Sequence, residues 1–342
     1  MRSPDPLVMS LFAAGLFVAA ATAQQDPPEA VELPSKNDPT TGLRVTFTSN
    51  RNGSLNLWSC TLDGGDLRQL TTGGSDVGPA WSPDGRRLAF HSHRSGGWKI
   101  WVVEFDAEDR PGRPQRLTKG SGGSFRYEYF PCWSPDGAHV AFERWDDQRK
   151  RFELHVVDRD GGNERTIARG DGHDRQPSWS PDGSSLLFTS QRDGDAEVYA
   201  APVDGDAPPR NLSRSPAVDF AAAWSPDGAR ILFHSDRDGE FATYTMAADG
   251  TDVRPLAGVR PADHLQGWTA EESNTGSIPY RTLRSTAGVW SPDGAQVLVT
   301  SIADGDEEVV LVTVADGARR VLTQDDARDF LPVFRPRPAA GR

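Results

Sequence analysis

The pentapeptide Trp-Ser-Pro-Asp-Gly occurs five times, at Trp81–Gly85, Trp133–Gly137, Trp179–Gly183, Trp224–Gly228 and Trp290–Gly294, and an eroded sixth copy stands at Phe334–Pro338. Successive leading aromatics lie 44 to 66 residues apart. A unit recurring at such a period cannot bury its apolar face alone and stacks on its own copies, so the chain reads as an array of one supersecondary element.

Each unit repeats one grammar. In the unit beginning at Asp76, the alternation predicts strands over Val77–Trp81, Arg87–Ser92, Trp98–Val103 and Gln115–Thr118, separated by turns. Pro83 presets φ at the second turn position, and Gly85 supplies the positive φ that a type I turn with a bulge demands. Four antiparallel strands per repeat make a propeller blade. The chain enters a blade at its second strand (Val45–Ser49, then Leu55–Cys60 and Leu67–Thr71) and ends on a lone first strand, Phe330–Phe334. These fragments add up to one blade. The expected fold is therefore all-β, a six-bladed propeller closed by the C-terminal strand, which leaves no open sheet edge at the seam. The tryptophan series and Phe334 are expected between neighbouring blades.

The stretches PAWSPDGRRLAFHSHRSG, PSWSPDGSSLLFTSQRDG and AAWSPDGARILFHSDRDG resemble the propeller repeats of the TolB-like family. The resemblance runs from Leu43 to Pro336 and is specific for fold more than for function. It is confined to the propeller, because the leader is too short for the extra N-terminal domain that TolB itself carries. It implies a non-catalytic module that binds a protein partner in the cell envelope.

Residues 1–23 read as a signal peptide: Arg2, the apolar run Leu7–Ala21, and a small-x-small site at Ala21-Thr22-Ala23 that places cleavage near Ala23. Residues 24–42 read as a flexible leader, 43–336 as the propeller and 337–342 as a tail. The expected location is periplasmic or secreted, with no transmembrane segment in the mature chain. A formal charge of −12 excludes a nucleic-acid partner of the usual basic kind. Cys60 and Cys132 fall in non-adjacent units and are expected to be free thiols.

Five residues before each leading aromatic stand Asp76, Glu128, Asp174, Asp219, Ser285 and Asp329. At the end of each second strand stand Arg94, Asp146, Arg192, Arg237, Ala303 and Arg51. Strand alternation puts both sets on one face of the ring. Acid and base change together, since the unit with Ser285 has also lost its arginine. The acids are therefore read as structural pairs: Asp76 with Arg94, Asp174 with Arg192, Asp219 with Arg237, and Asp329 with Arg51. The alternative is a ring of carboxylates holding calcium in the channel mouth; no other cofactor or metal is expected.

The same face carries the long loops. Residues 258–287 form an insertion of about thirty residues, a length that is usually functional or disordered, and it holds His264, Trp268, Tyr280, Arg281 and Arg284. Loops 119–130 and 143–151 add Arg126, Tyr127, Arg144 and Trp145, and His173 lies nearby. Aromatics with arginines on a rigid face have the composition of a recognition surface. No nucleophile elbow, zinc-helix or phosphate-loop motif is present, so no catalytic residue is assigned. The competing reading is a glycan-acting lyase or hydrolase at the channel mouth, using His264 or His173 as base with Arg284 or Arg94 orienting an acidic substrate.

Overall fold

The computed structural model describes residues 42–119, 127–168, 170–204, 207–259, 288–303 and 306–337. The signal peptide, nearly all of the leader, most of the inserted segment and most of the tail lie outside these residues. In chain order the strands are β1 (Arg44–Ser49), β2 (Asn56–Thr61) and β3 (Arg68–Gln69). Next come β4 (Asp76–Trp81), β5 (Arg87–Ser92), β6 (Lys99–Glu104), β7 (Gln115–Arg116), β8 (Glu128–Trp133), β9 (His139–Asp146), β10 (Arg151–Asp158) and β11 (Arg165–Ile167). They continue with β12 (Asp174–Trp179), β13 (Ser185–Ser190), β14 (Glu197–Pro202), β15 (Arg210–Asn211), β16 (Asp219–Trp224), β17 (Arg230–Ser235), β18 (Ala242–Ala247) and β19 (Arg254–Pro255). The remainder are β20 (Val289–Trp290), β21 (Gln296–Ala303), β22 (Asp306–Thr313), β23 (Arg319–Val321) and β24 (Asp329–Arg335).

They form six four-stranded antiparallel sheets, and in blade 1 the order is β24-β1-β2-β3. The chain's last described strand thus completes its first blade, with Arg335 opposite Arg44 and Asp329 opposite Ser49. Blades 2 to 6 follow in sequence. The fourth strands β3 and β7 are shorter than the alternation predicts, and a hydroxyl continues the ladder past the fourth strand in blades 1, 4 and 6. Leu57 N donates to Thr71 Oγ1 at 3.0 Å, Val198 N to Ser213 Oγ at 2.9 Å and Val309 N to Thr323 Oγ1 at 3.0 Å.

The repeated pentapeptide turns each blade from its first to its second strand. Ser82 Oγ donates to Asp84 at 2.5 Å and accepts from Arg87 N at 2.9 Å, and Gly85 sits at φ +65°. An L side chain is strained in that left-handed region, which explains the glycine. Each leading aromatic packs on the preceding blade. Trp81 joins Leu57 and Leu70, Trp179 joins Leu154 and Ile167, Trp290 joins Phe220 and Leu256, and Phe334 joins Val309 and Leu322. Burying one indole contributes roughly 4 to 6 kcal/mol gross by area. Several also donate across the gap: Trp81 Nε1 to Thr46 Oγ1 at 2.9 Å, Trp133 Nε1 to Ala80 O at 3.1 Å, and Trp179 Nε1 to Cys132 O at 3.2 Å. Cys60 and Cys132 are free, and burial pushes the Cys60 thiol up to about 12.

The sequence does not announce the irregularity of the inner strands. The ladder slips between Val77 and Ala80, Tyr129 and Cys132, Arg175 and Ser178, and Phe220 and Ala223. At the slip Gly78, Phe130, Gln176, Ala221 and Leu331 all take φ between +48° and +65°. The freed N–H groups reach the preceding blade: Gly78 N to Thr48 Oγ1 at 3.2 Å, Ala221 N to Thr189 Oγ1 at 3.0 Å, and Leu331 N to Thr300 Oγ1 at 3.2 Å. These bulges bend the inner strands around a central channel of about 170 Å³, lined by Gly78, Phe130, Cys132, Gln176, Ala222 and Val333 among others.

Candidate recognition face

The inner strands begin, and the second strands end, on one rim of the ring. There Arg94 Nη2 donates to both oxygens of Asp76 at 2.6 Å, and Arg192 Nη2 to those of Asp174 at 2.9 and 3.0 Å. Arg237 Nη2 reaches Asp219 at 3.0 Å, and Arg51 Nη2 reaches Asp329 at 2.6 Å. The same guanidinium groups donate through Nε to Ser92, Ser190, Ser235 and Ser49 at 2.8 to 3.1 Å. Each also lies over two aromatic rings, as Arg192 does over Phe188 and Tyr199. The acids are buried. Burial raises the carboxyl groups of Asp174, Asp219 and Asp329 above their ordinary value, against the opposing pull of their hydrogen bonds and arginines.

Blade 3 departs from this pattern. Arg144 takes the place of the serine, and its Nε and Nη2 meet Glu128 at 3.0 and 2.9 Å. Lys99 of blade 2 reaches the same carboxylate at 3.1 Å, and Glu164 holds the outer side of the guanidinium. Arg144, expected on the recognition surface, is only 4% exposed. Two carboxylates draw it inward, so it braces the blade and presents no charge to solvent. All five described acids therefore face a basic nitrogen. Ser285 lies outside the described residues. In blade 6 the hydroxyl of Ser301 instead accepts from Arg319 Nη2 of β23 at 3.0 Å.

Beside this rim an aromatic belt crosses blades 2 to 4. Tyr127, 40% exposed, stacks on Tyr129 with centroids 6.4 Å apart, and Tyr129 meets Trp98 at 5.9 Å and Phe152 at 6.1 Å. Phe152 meets Trp145 edge-on at 5.2 Å, and Trp145 stacks on His173 at 6.0 Å. The backbone fixes these rings: Trp98 bridges to Tyr127, and Trp145 N donates to Tyr127 O at 3.0 Å. Burial, with Arg175 and Arg151 adding to it, lowers the His173 pKa, so its ring is neutral near neutral pH. The structure thus brings Tyr127, Trp145 and His173 together. Arg126, His264, Trp268, Tyr280, Arg281 and Arg284 lie outside the described residues.

Reasoning from sequence missed an ion pair under the belt. Glu143 and Arg175, both buried, meet at 3.0 Å across blades 3 and 4, and Arg175 lies 4.2 Å over Phe152. Glu143 also accepts from the bulge N–H of Gln176 at 2.9 Å. It occupies the place of Thr48 and Thr189 in other blades, and that exchange of a hydroxyl for a carboxylate is the signal that could have exposed it.

Residues 131–274 match the family described as TolB beta propeller domain. A TolB homolog of Chlorobium luteolum is 34% identical over 161 residues, covering 46% of this chain and 34% of that protein. The Tol-Pal system protein TolB of Bordetella pertussis is 31% identical over 164 residues, covering 47% of this chain and 35% of that protein. The match thus spans about a third of the length of these relatives. The crystal structure of TolB from Acinetobacter baumannii superposes with a TM-score of 0.67 at 18% identity, over 86% of this chain and 67% of that one. Six blades of this repeat, closed through β24, make the chain a six-bladed β-propeller, of which residues 131–274 match the TolB beta propeller family.

Proposed function

We propose that the chain is an exported, non-catalytic module that binds a protein partner in the cell envelope through its loop face. The observation that carries this reading is the aromatic belt from Trp98 to His173, ordered on a rigid rim and ending in the exposed ring of Tyr127. Rigid aromatics lose little entropy on docking and dominate binding hot spots. The naming of relatives as Tol-Pal system proteins favours an envelope setting. No helix of the described residues is long and apolar enough to cross a membrane. The reading also takes in the loop 258–287 and Arg126, most of which lie outside the described residues, and has a signal peptide cleaved near Ala23 deliver the chain.

The enzymatic reading draws less support from His173, the described one of its two candidate bases. Phe152 N donates to His173 Nδ1 at 3.2 Å, so the neutral ring carries its proton on Nε2 and has no free lone pair to offer as a base. The test is capture from an envelope fraction with the wild type, with Tyr127→Ala/Trp145→Ala, and with residues 260–285 replaced by a short Gly/Ser link. Loss of a specific partner in these variants at unchanged thermal stability supports the reading, and identical partner sets overturn it.

A further inference from the structure

We propose that a cavity on the outer edge of blades 2 and 3, away from the aromatic belt, binds a phosphoryl compound. The cavity measures about 370 Å³ and is lined by Arg87, Arg113, Arg116 and Arg159, with Glu104 and Asp160. Its walls come from β5 and β6, the outer strand β7 with the segment before it, and the turn after β10.

Charge matching sets this place apart. The chain is acidic, and most arginines of the described residues meet a carboxylate, as Arg44 meets Asp66 and Arg230 meets Asp252. In this cavity Arg87 is taken by Glu104 at 2.7 Å, and Asp160 accepts from its own turn at Gly162 N, 2.9 Å away. Arg113, Arg116 and Arg159 make no ion pair within 4.0 Å of a carboxylate among the described residues, Arg159 acting on Asp84 only at longer range, and all three are exposed at one opening. Three unmatched guanidinium groups around one space call for a ligand that brings several oxygens and more than one negative charge. A carboxylate brings two oxygens and one charge, which a single guanidinium fork satisfies; a phosphoryl group brings three oxygens and nearly two charges. The volume falls in the range of small-molecule sites and exceeds what one tetrahedral anion fills, so the phosphoryl group is expected on a larger body or as a diphosphate.

The variant is chosen to spare the fold. Arg116 Nε donates to Thr118 O at 2.6 Å, and Thr118 contacts the buried Glu128, so Arg116 is left intact. Arg113 and Arg159 are exposed and are replaced together as Arg113→Ser/Arg159→Ser. Arg210, an exposed arginine that donates to the backbone oxygen of Asp249, is the control. Calorimetry of the full chain with inorganic pyrophosphate, at fixed ionic strength and with succinate as the carboxylate comparison, reads the site. Saturable one-to-one binding of pyrophosphate is expected, tighter than succinate and weakened about tenfold or more in the double variant. Arg210→Ser should leave it unchanged. Flotation with phosphatidylglycerol vesicles that the double variant loses would place the phosphoryl group on a lipid; pyrophosphate binding without flotation would place it on a soluble compound. Pyrophosphate no tighter than succinate, equal affinity in the double variant, or an equal loss in Arg210→Ser overturns the proposal.

Discussion

Arg51 donates to Asp329 at 2.6 Å, tying the loop after β1 to the first residue of β24 across 278 positions of chain. The same contact within blade 2, Arg94 to Asp76, joins neighbours that the chain already connects. Arg51→Ala leaves the fully buried Asp329 uncompensated and is expected to cost about 3 kcal/mol of stability. Hydrogen exchange separates closure from general weakening. Amides of Asp329–Arg335 should exchange faster in Arg51→Ala and not in Arg94→Ala.

Glu308 gives the seam a pH dependence. It lies in β22 and accepts from Thr323 Oγ1 at 2.6 Å, with Asp325, Asp329 and Arg51 gathered at the junction. Burial chiefly, with Asp329 and Asp325 adding to it against the Thr323 hydrogen bond, raises its carboxyl from 4.5 to about 7. The folded state therefore holds this proton more tightly than the unfolded chain. Its contribution is fully present below the unfolded value, falls as pH rises, and is gone above the folded one. Urea midpoints should drop between about pH 5 and about pH 7.5, and Glu308→Gln should flatten that drop. A variant as pH-sensitive as the wild type would assign the effect elsewhere.

The tryptophans are unequal. Trp133 Nε1 donates to Ala80 O at 3.1 Å, whereas the indole N–H of Trp224 meets no acceptor among the described residues. Trp133→Phe should cost about 1 kcal/mol more than Trp224→Phe, the worth of one hydrogen bond. Trp133→Ala should cost about 3 to 5 kcal/mol as the inter-blade contact empties. Chemical denaturation of the three variants checks the order.

The fold was legible because its code is redundant. Five copies of one turn and the split blade, Val45–Ser49 with Phe330–Phe334, allow one closure, and β24 does pair with β1. The bulge was hidden because its left-handed position carries Gly78 in one blade and Phe130, Gln176, Ala221 and Leu331 in others. At Gly78, Gln176, Ala221 and Leu331 the N–H there bonds a hydroxyl or carboxylate on the preceding blade, a partner some thirty residues away. Arg144 was misplaced for a related reason. Its neighbours Trp145 and Asp147 read as a surface turn, and only the pairing of β9 with β8 turns its side chain toward Glu128. Strand alternation says which residues face in, but not which charges will meet there.

Photo-crosslinking tests the central claim most directly. A photoreactive residue at Tyr127, within the aromatic belt, is compared in the envelope fraction with one at Leu67, which is 43% exposed beside β3 and away from that belt. The account predicts a discrete protein adduct from position 127 that excess unlabelled chain competes away, and none from position 67. The same adducts from both positions, or adducts from position 67 alone, would contradict a partner docked on the loop face.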